Sequence, residues 1–401
     1  MASDKVAARS TDTPTQASES STNARSGRVI SVDALRGFDM FWIAGGHGIV
    51  LGIVGLIASP VPELVRYEMS HPAWIGFSAW DLIMPLFLFI VGVAMPFSFS
   101  KRIAQGQTKR QLYSKIVRRT IILFVLGMMV QGHLLDFKLE TLHIYCNTLQ
   151  AIAIGYLFAS IIMLELPLML QVGAIFVLLI GYWALLTFVP YPGGAAGMLK
   201  PDNNLALYID KLILGRFEDG LAYTWILSGL GFTATTLLGV MGGKLLRANS
   251  TPWAKVLWLT LLGLLCLAAG WVWGFWLPQI APKSSPLVGK LAFPVIKHIW
   301  TSSMVLWAGG WSFLLLAAFY CLIDVIGWKR WASFFIVYGA NAIFIYVTWH
   351  MINYQNISNP FLGGLAAHIG RYGDLLKNLG AVAVAWGILA YMYRNRTFVR
   401  V

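Results

Sequence analysis

Two residues ten positions apart, His71 and Asp81, form the pair in this chain best suited to proton transfer. A carboxylate that accepts a hydrogen bond from one imidazole nitrogen fixes the tautomer and makes the other nitrogen more basic, as a general base or nucleophile requires. Asp81 also opens the apolar run Leu82-Ile83-Met84-Pro85, where a negative charge at a helix N-terminus is favoured in its own right and Pro85 can kink the helix. Both readings stay open. A second constellation is Asp33, Arg36 and Asp39, whose i, i+3, i+6 spacing puts them on neighbouring turns of one helix face. Charges within apolar runs cost roughly 2.5–3.5 kcal/mol each on insertion scales, so these serve either an ion-pair ladder or a ligand. Asn147 and Gln150 lie one turn apart, and Asn341, Tyr346 and His350 follow one another along a later apolar stretch. Amides there either join helices or hold a polar ligand.

The elements that position these residues are membrane helices. Of 401 residues, 58% are hydrophobic and 12% charged, more apolar surface than a water-soluble domain of this length can cover. Apolar runs of about 18–25 residues recur, and helices satisfy their own backbone hydrogen bonds in lipid. The expected class is all-α, a polytopic bundle of about ten spans. They lie near residues 29–58, 79–99, 120–132, 142–164, 168–190, 223–246, 253–277, 299–323, 334–351 and 379–393. Residues 1–27, rich in Ser, Thr and Ala, read as a disordered cytoplasmic tail without an apolar signal segment, and 28–401 as one transmembrane domain.

The net charge of +13 does not point to nucleic acid, because the basic residues gather in alternate loops. Lys101, Arg102, Lys109, Arg110, Lys115, Arg118 and Arg119 follow the second span, and Lys244, Arg247 and Lys255 the sixth. Lys329 and Arg330 follow the eighth, and Arg394, Arg396 and Arg400 close the chain. The positive-inside rule makes these loops, and both termini, cytoplasmic. His71, His133, His143, His298, His350 and His368 then fall in outer loops or outer helix ends, with His47 in the outer half of the first span. A shared side suits proton transfer or metal binding, although a single histidine is more often a packing residue. Cys146, Cys266 and Cys321 have neither disulfide nor zinc-site spacing, and no metal is expected. The chain lacks an evident internal repeat of the kind many transporters carry.

The run Ser31-Val32-Asp33-Ala34-Leu35-Arg36-Gly37-Phe38-Asp39-Met40 resembles the opening motif of transmembrane acyltransferases, in particular bacterial relatives of heparan-α-glucosaminide N-acetyltransferase. Further matches follow in the same order: His71-Pro72-Ala73-Trp74, the segment from Ala79 to Phe89, Thr148-Leu149-Gln150 and Thr236-Leu237-Leu238-Gly239. Lys297 to Val305, Ile323-Asp324-Val325 and the segment from Gly339 to Tyr346 complete the set. Asp-x-Leu-Arg-Gly alone occurs in several membrane acyltransferase groups; the ordered set is specific and covers the chain after Gly27.

The resemblance implies transfer of acetyl from cytosolic acetyl-CoA, as co-substrate, to the amine of an extracytoplasmic amino sugar or glycan, in a bacterial inner membrane. The family's proposed catalytic histidine maps to His71. The asparagine proposed to assist it is replaced here by His47, which can still donate or accept a hydrogen bond. Asp81 would orient His71, while Asn147, Gln150 and Asn341 would hold the thioester carbonyl or the sugar. Lys297 and His350 stand on the sugar side; Arg36, Arg118, Arg119, Lys244 and Arg247 stand where CoA phosphates would lie. A minimal form without the animal enzyme's lumenal domain is expected, with membrane lipid as its solvent and a homodimer compatible with it. Two rivals use the same residues: a permease of a small polar solute, and an O-acyltransferase of a surface glycan.

Overall fold

Proline and glycine punctuation divides the apolar runs, and the helices begin where those breaks and their capping side chains allow. The computed structural model describes residues 29–221, 223–281 and 285–399. The tail expected over residues 1–27, and Arg400, lie outside the described residues. The helices that matter here are α1 (Ile30–Phe41), α2 (His47–Ile57), α3 (Ile83–Ala104), α4 (Lys109–Val130), α5 (Thr148–Glu165), α6 (Leu168–Phe188) and α7 (Leu205–Leu214). They are followed by α8 (Gly229–Arg247), α9 (Pro252–Trp271), α10 (Ser302–Tyr320), α11 (Ala332–Ala340), α12 (Ala342–Met351), α13 (Tyr354–His368) and α14 (Gly373–Arg394). Among the described residues there are only isolated β-bridges, so the fold is an all-α bundle.

Among the described residues eight helices are long and apolar enough to cross a membrane, nine if α11 and α12, bent by 76° at Asn341, count as one span. The remaining expected span is α4. It is a 22-residue helix, about 33 Å at 1.5 Å per residue, but Lys109, Arg110, Lys115, Arg118 and Arg119 crowd its first half. An uncharged run of sufficient length is therefore missing there, although the helix itself forms, started by a Thr108–Gln111 capping box.

Burial orders the bundle from inside to outside. In α8 and α3 the apolar windows are 78% and 67% buried, against 22% in α6 and in the span containing α9, so the former pair is the centre and the latter face lipid. Val177, Leu265 and Trp253 are correspondingly exposed. With lipid tails as apolar as leucine, close backbone packing through small residues does much of the work of association. A Cβ on Gly92 of α3 would overlap the Thr236 carbonyl of α8, and one on Gly239 would overlap the Phe89 carbonyl. The same closeness joins α1 to α11, where Gly37 meets the Phe335 carbonyl and Gly339 meets that of Asp33.

Candidate active site

The loop before α3 is folded by its own short polar side chains. Ser78 and Asp81 form a capping box, and Ser78 Oγ also donates to the Ser70 carbonyl at 2.6 Å, which draws residues 70–71 back against the helix start. His71 Nδ1 thereby reaches Asp81 Oδ1 at 2.6 Å, so the expected pair exists. Lys297, delivered from 226 residues along the chain, places Nζ 3.0 Å from the same carboxylate oxygen. Its loop is pinned by the Gly76 N–H donating to the Val295 carbonyl at 2.9 Å and by the bridge between Ile75 and Ile296.

One acceptor oxygen thus gathers two donors. The 3.3 Å separation of Lys297 Nζ and His71 Nδ1 follows from that shared oxygen, and His71 Nδ1 carries the proton it gives to Asp81. On a neutral imidazole Nε2 then keeps its lone pair, the form a base or nucleophile needs. The side chains of Asp81 and Lys297 are 1% and 8% exposed, whereas that of His71 is 41% exposed, so the pair is sheltered while the imidazole meets the cavity. Burial pulls the Lys297 ammonium below the usual lysine range, an effect the adjacent Asp81 carboxylate opposes. Burial, reinforced by Lys297, lowers His298 to about 4, and its ring lies 5.1 Å from Trp74 in a stack and 4.4 Å from Tyr223.

His71 and Lys297 line a cavity of about 540 Å³ with Trp80, Tyr223, Tyr346 and His350. A second cavity of about 530 Å³ is lined by Asp33, Arg36, Lys101, Arg102 and Arg119. The two share one lining residue, Phe87, and the same helices wall both. On α3, Ile83 and Met84 face the first and Val91 to Arg102 the second; on α5, Thr148 and Ile152 face the first and Tyr156 the second. On α12, Tyr346 and His350 belong to the first, Ala342 and Ile343 to the second. Arg102 lies nineteen residues beyond Ile83, about 29 Å along the helix at 1.5 Å per residue. Arg119 stacks its guanidinium 4.5 Å from the Tyr156 ring, and its buried Nε has no hydrogen-bond partner among the described residues. An orphaned cationic donor beside three further cations is an arrangement an anionic group completes.

The other expected site residues divide. Asp33 and Arg36 pair at 3.6 Å and line the second cavity. Asp39 is fully buried, lines neither cavity and has no hydrogen-bond partner among the described residues. Asn147 and Gln150 are spent on local structure: they form the capping box of α5, and Asn147 Nδ2 donates to Gln131 Oε1 at 2.9 Å. Asn341 clamps the chain near its C-terminal end at the bend, donating to the Thr397 carbonyl at 3.1 Å and accepting from Val399 N–H at 2.9 Å. His47 donates from Nε2 to the Met69 carbonyl at 2.8 Å and lies 4.4 Å from the Trp80 ring, next to the His71 loop but not touching His71. Lys244 turns to Gln171, and Arg247 to the Pro96 carbonyl at 3.0 Å; neither lines the basic cavity, nor does Arg118. Sequence reasoning has Phe87 only as one residue of the Ala79–Phe89 match and passes over Tyr223 and Trp225, aromatic residues without a motif of their own. It also passes over Asp210 on α7, which accepts from the backbone N–H groups of Trp225 and Ile226 at 2.6 and 3.0 Å and so holds one wall of the first cavity.

A sequence profile described as "Heparan-alpha-glucosaminide N-acetyltransferase, catalytic" matches residues 28–268. Heparan-alpha-glucosaminide N-acetyltransferase of Homo sapiens is 25% identical over 391 residues, covering 84% of this chain and 56% of the relative. The Mus musculus protein of the same name is 24% identical over 394 residues, covering 84% and 57%. The chain therefore spans little more than half the length of these relatives.

Proposed function

Since the chain belongs to the heparan-alpha-glucosaminide N-acetyltransferase catalytic family, we propose that it carries acetyl from acetyl-CoA to the amine of an amino sugar through the two cavities that meet at Phe87. That adjacency, with the two cavities on either side of Phe87, is the observation that carries the reading. CoA is a polyanion ending in a thioester, and the basic cavity offers Arg36, Lys101, Arg102 and Arg119 at one end and an apolar approach to Phe87 at the other. The positive-inside rule assigns the basic end to the cytoplasm, so the sugar reaches His71 from the opposite side of a bacterial inner membrane.

In this reading the amine nitrogen attacks the thioester carbonyl and the carbon–sulfur bond breaks. His71 Nε2 takes the proton the amine loses and returns it to the departing thiolate, so the products are an amide and CoA thiol. Asp81 holds the tautomer throughout. Lys297 keeps Asp81 ionised in a buried place and stands near enough to His71 to meet negative charge developing on the carbonyl oxygen.

The test is vectorial: purified protein in liposomes, acetyl-CoA on the basic side, glucosamine on the other. Acetylated sugar and free CoA should form on opposite sides, with His71→Ala slower by about 10²–10⁴-fold yet still binding acetyl-CoA. Accumulation of unaltered sugar would favour the permease, and acetylation of hydroxyl-only acceptors the O-acyltransferase. Near wild-type turnover in His71→Ala would overturn the assignment of the base.

A further inference from the structure

Beside the first cavity lies another, an open cleft of about 600 Å³ bordered by the start of α2, the end of α12, the first turn of α13, and α14. Ile43, Trp80, Trp349 and His350 line both, so the two compartments adjoin. A break in the backbone shapes their common edge. Between α1 and α2 the chain breaks at Ala44 and Gly45, and Gly45 takes φ +105°; a side chain there would be strained, would overlap Val382 and would crowd the Trp349 ring.

The lining is polar with no permanently charged side chain. Its polar groups are the imidazoles of His47 and His350, the amides of Asn353, Gln355 and Asn378, and the Tyr354 phenol; none of the described lining residues is Asp, Glu, Lys or Arg. Their internal bonds leave capacity unused. His350 donates from Nδ1 to the Tyr346 carbonyl at 2.8 Å, which leaves Nε2 as an acceptor. Gln355 donates from Nε2 to Asn378 Oδ1 at 2.8 Å, leaving Oε1 as another. Asn353 accepts at Oδ1 from the Gln355 N–H at 3.0 Å, leaving its Nδ2 donors. Trp80 and Trp349 add aromatic faces. Mixed neutral donors and acceptors beside aromatic faces match a ligand with many hydroxyls and no charge, whereas an anion calls for the cations found in the basic cavity and a cation for a carboxylate.

We infer that this cavity is a second acceptor subsite, which holds an uncharged sugar residue linked to the amino sugar at His71. The inference rests on the acetyl-transfer reading and narrows it. The acceptor is at least a disaccharide, and the unit next to the reacting one bears neither carboxylate nor sulfate.

Three acceptors test this with the purified full chain and acetyl-CoA: methyl glucosaminide, a glucosaminyl-glucose disaccharide and a glucosaminyl-glucuronic acid disaccharide. The glucose-bearing disaccharide should show kcat/KM about tenfold above both others, the effect of one or two neutral hydrogen bonds. Gln355→Ala, and independently Gln355→Leu, should lower its advantage over the monosaccharide by about fivefold. Equal kcat/KM for disaccharide and monosaccharide, or preference for the glucuronic acid compound, would overturn the subsite while leaving acetyl transfer intact. Should no acceptor be acetylated, the transfer reading fails, and equilibrium binding decides the subsite through tryptophan fluorescence. Saturable binding of the glucose-bearing disaccharide that weakens in Gln355→Ala supports it; no binding, or equal binding in both proteins, overturns it.

Discussion

Replacing Asp81 by Asn separates the two duties assigned to this carboxylate. Asn keeps an oxygen that can accept from His71 Nδ1 at the observed 2.6 Å, but it removes the charge that faces Lys297 at 3.0 Å. With the Lys297 side chain 8% exposed, an ammonium left there alone costs about 3–5 kcal/mol. The protein can escape by releasing the proton. Neutralising an ordinary lysine at pH 7 takes somewhat over three pH units at about 1.4 kcal/mol each, or about 5 kcal/mol, which sets the upper limit. Asp81→Asn should therefore lose about 3–5 kcal/mol of stability in detergent, read by denaturant titration, and about 10²–10⁴-fold in turnover. Adding Lys297→Met removes the orphaned charge and should restore most of the stability, because an apolar replacement for a buried pair is often neutral. Turnover should stay low. If the double variant recovers turnover to within about threefold of wild type, neither the Asp81 charge nor the Lys297 ammonium is needed for transfer, and the role given to Lys297 at the carbonyl oxygen is refuted.

Phe87→Trp, which enlarges the ring where the two cavities meet, should leave the dissociation constant for CoA within about twofold while lowering kcat about tenfold or more, since overpacking at a tight junction costs about 1–3 kcal/mol. Calorimetric CoA binding alongside single-turnover acetyl transfer checks this. Asp210 supplies a pH dependence: burial raises its carboxyl to about 7 despite two backbone N–H donors. A carboxyl raised on folding adds stability at low pH that is lost as pH rises through 7. The thermal midpoint should accordingly fall between pH 5 and 8 in wild type, and fall less in Asp210→Asn.

The helical class is legible in the sequence because apolar runs of span length have few alternatives in lipid, and most of the predicted limits lie within a few residues of the helices. The span expected over residues 120–132 is a helix, but one that begins eleven residues earlier, since its capping box at Thr108 and Gln111 sits inside the basic cluster where hydropathy gives no signal. His71 and Asp81 are legible as a local pair. Lys297 is not, because no local pattern ties it to a carboxylate 216 positions earlier; only the loop pinned at Val295 and Ile296 brings it there. Amides mislead for a different reason. Asn147 and Gln150 have the composition of a polar site, yet an asparagine that caps a helix and one that faces a ligand look alike in sequence, and here both are used on backbone groups. Arg119 stands out from its basic neighbours through the ring of Tyr156 beneath it and its buried, unpartnered Nε, neither of which leaves a mark in the sequence.

The glycine contacts between α3 and α8 have a mechanical consequence. With Gly92 against the Thr236 carbonyl and Gly239 against that of Phe89, these two rods touch backbone to backbone, and neither can slide or tilt without collision. The wall that carries Phe87 is thus a fixed rail, and any widening where the two cavities adjoin falls to the opposite wall. There α11 is itself seamed to α1 at Gly37 and Gly339, so any yielding is left to α12, which turns 76° from α11 at Asn341, where two hydrogen bonds hold a strap near the chain's end.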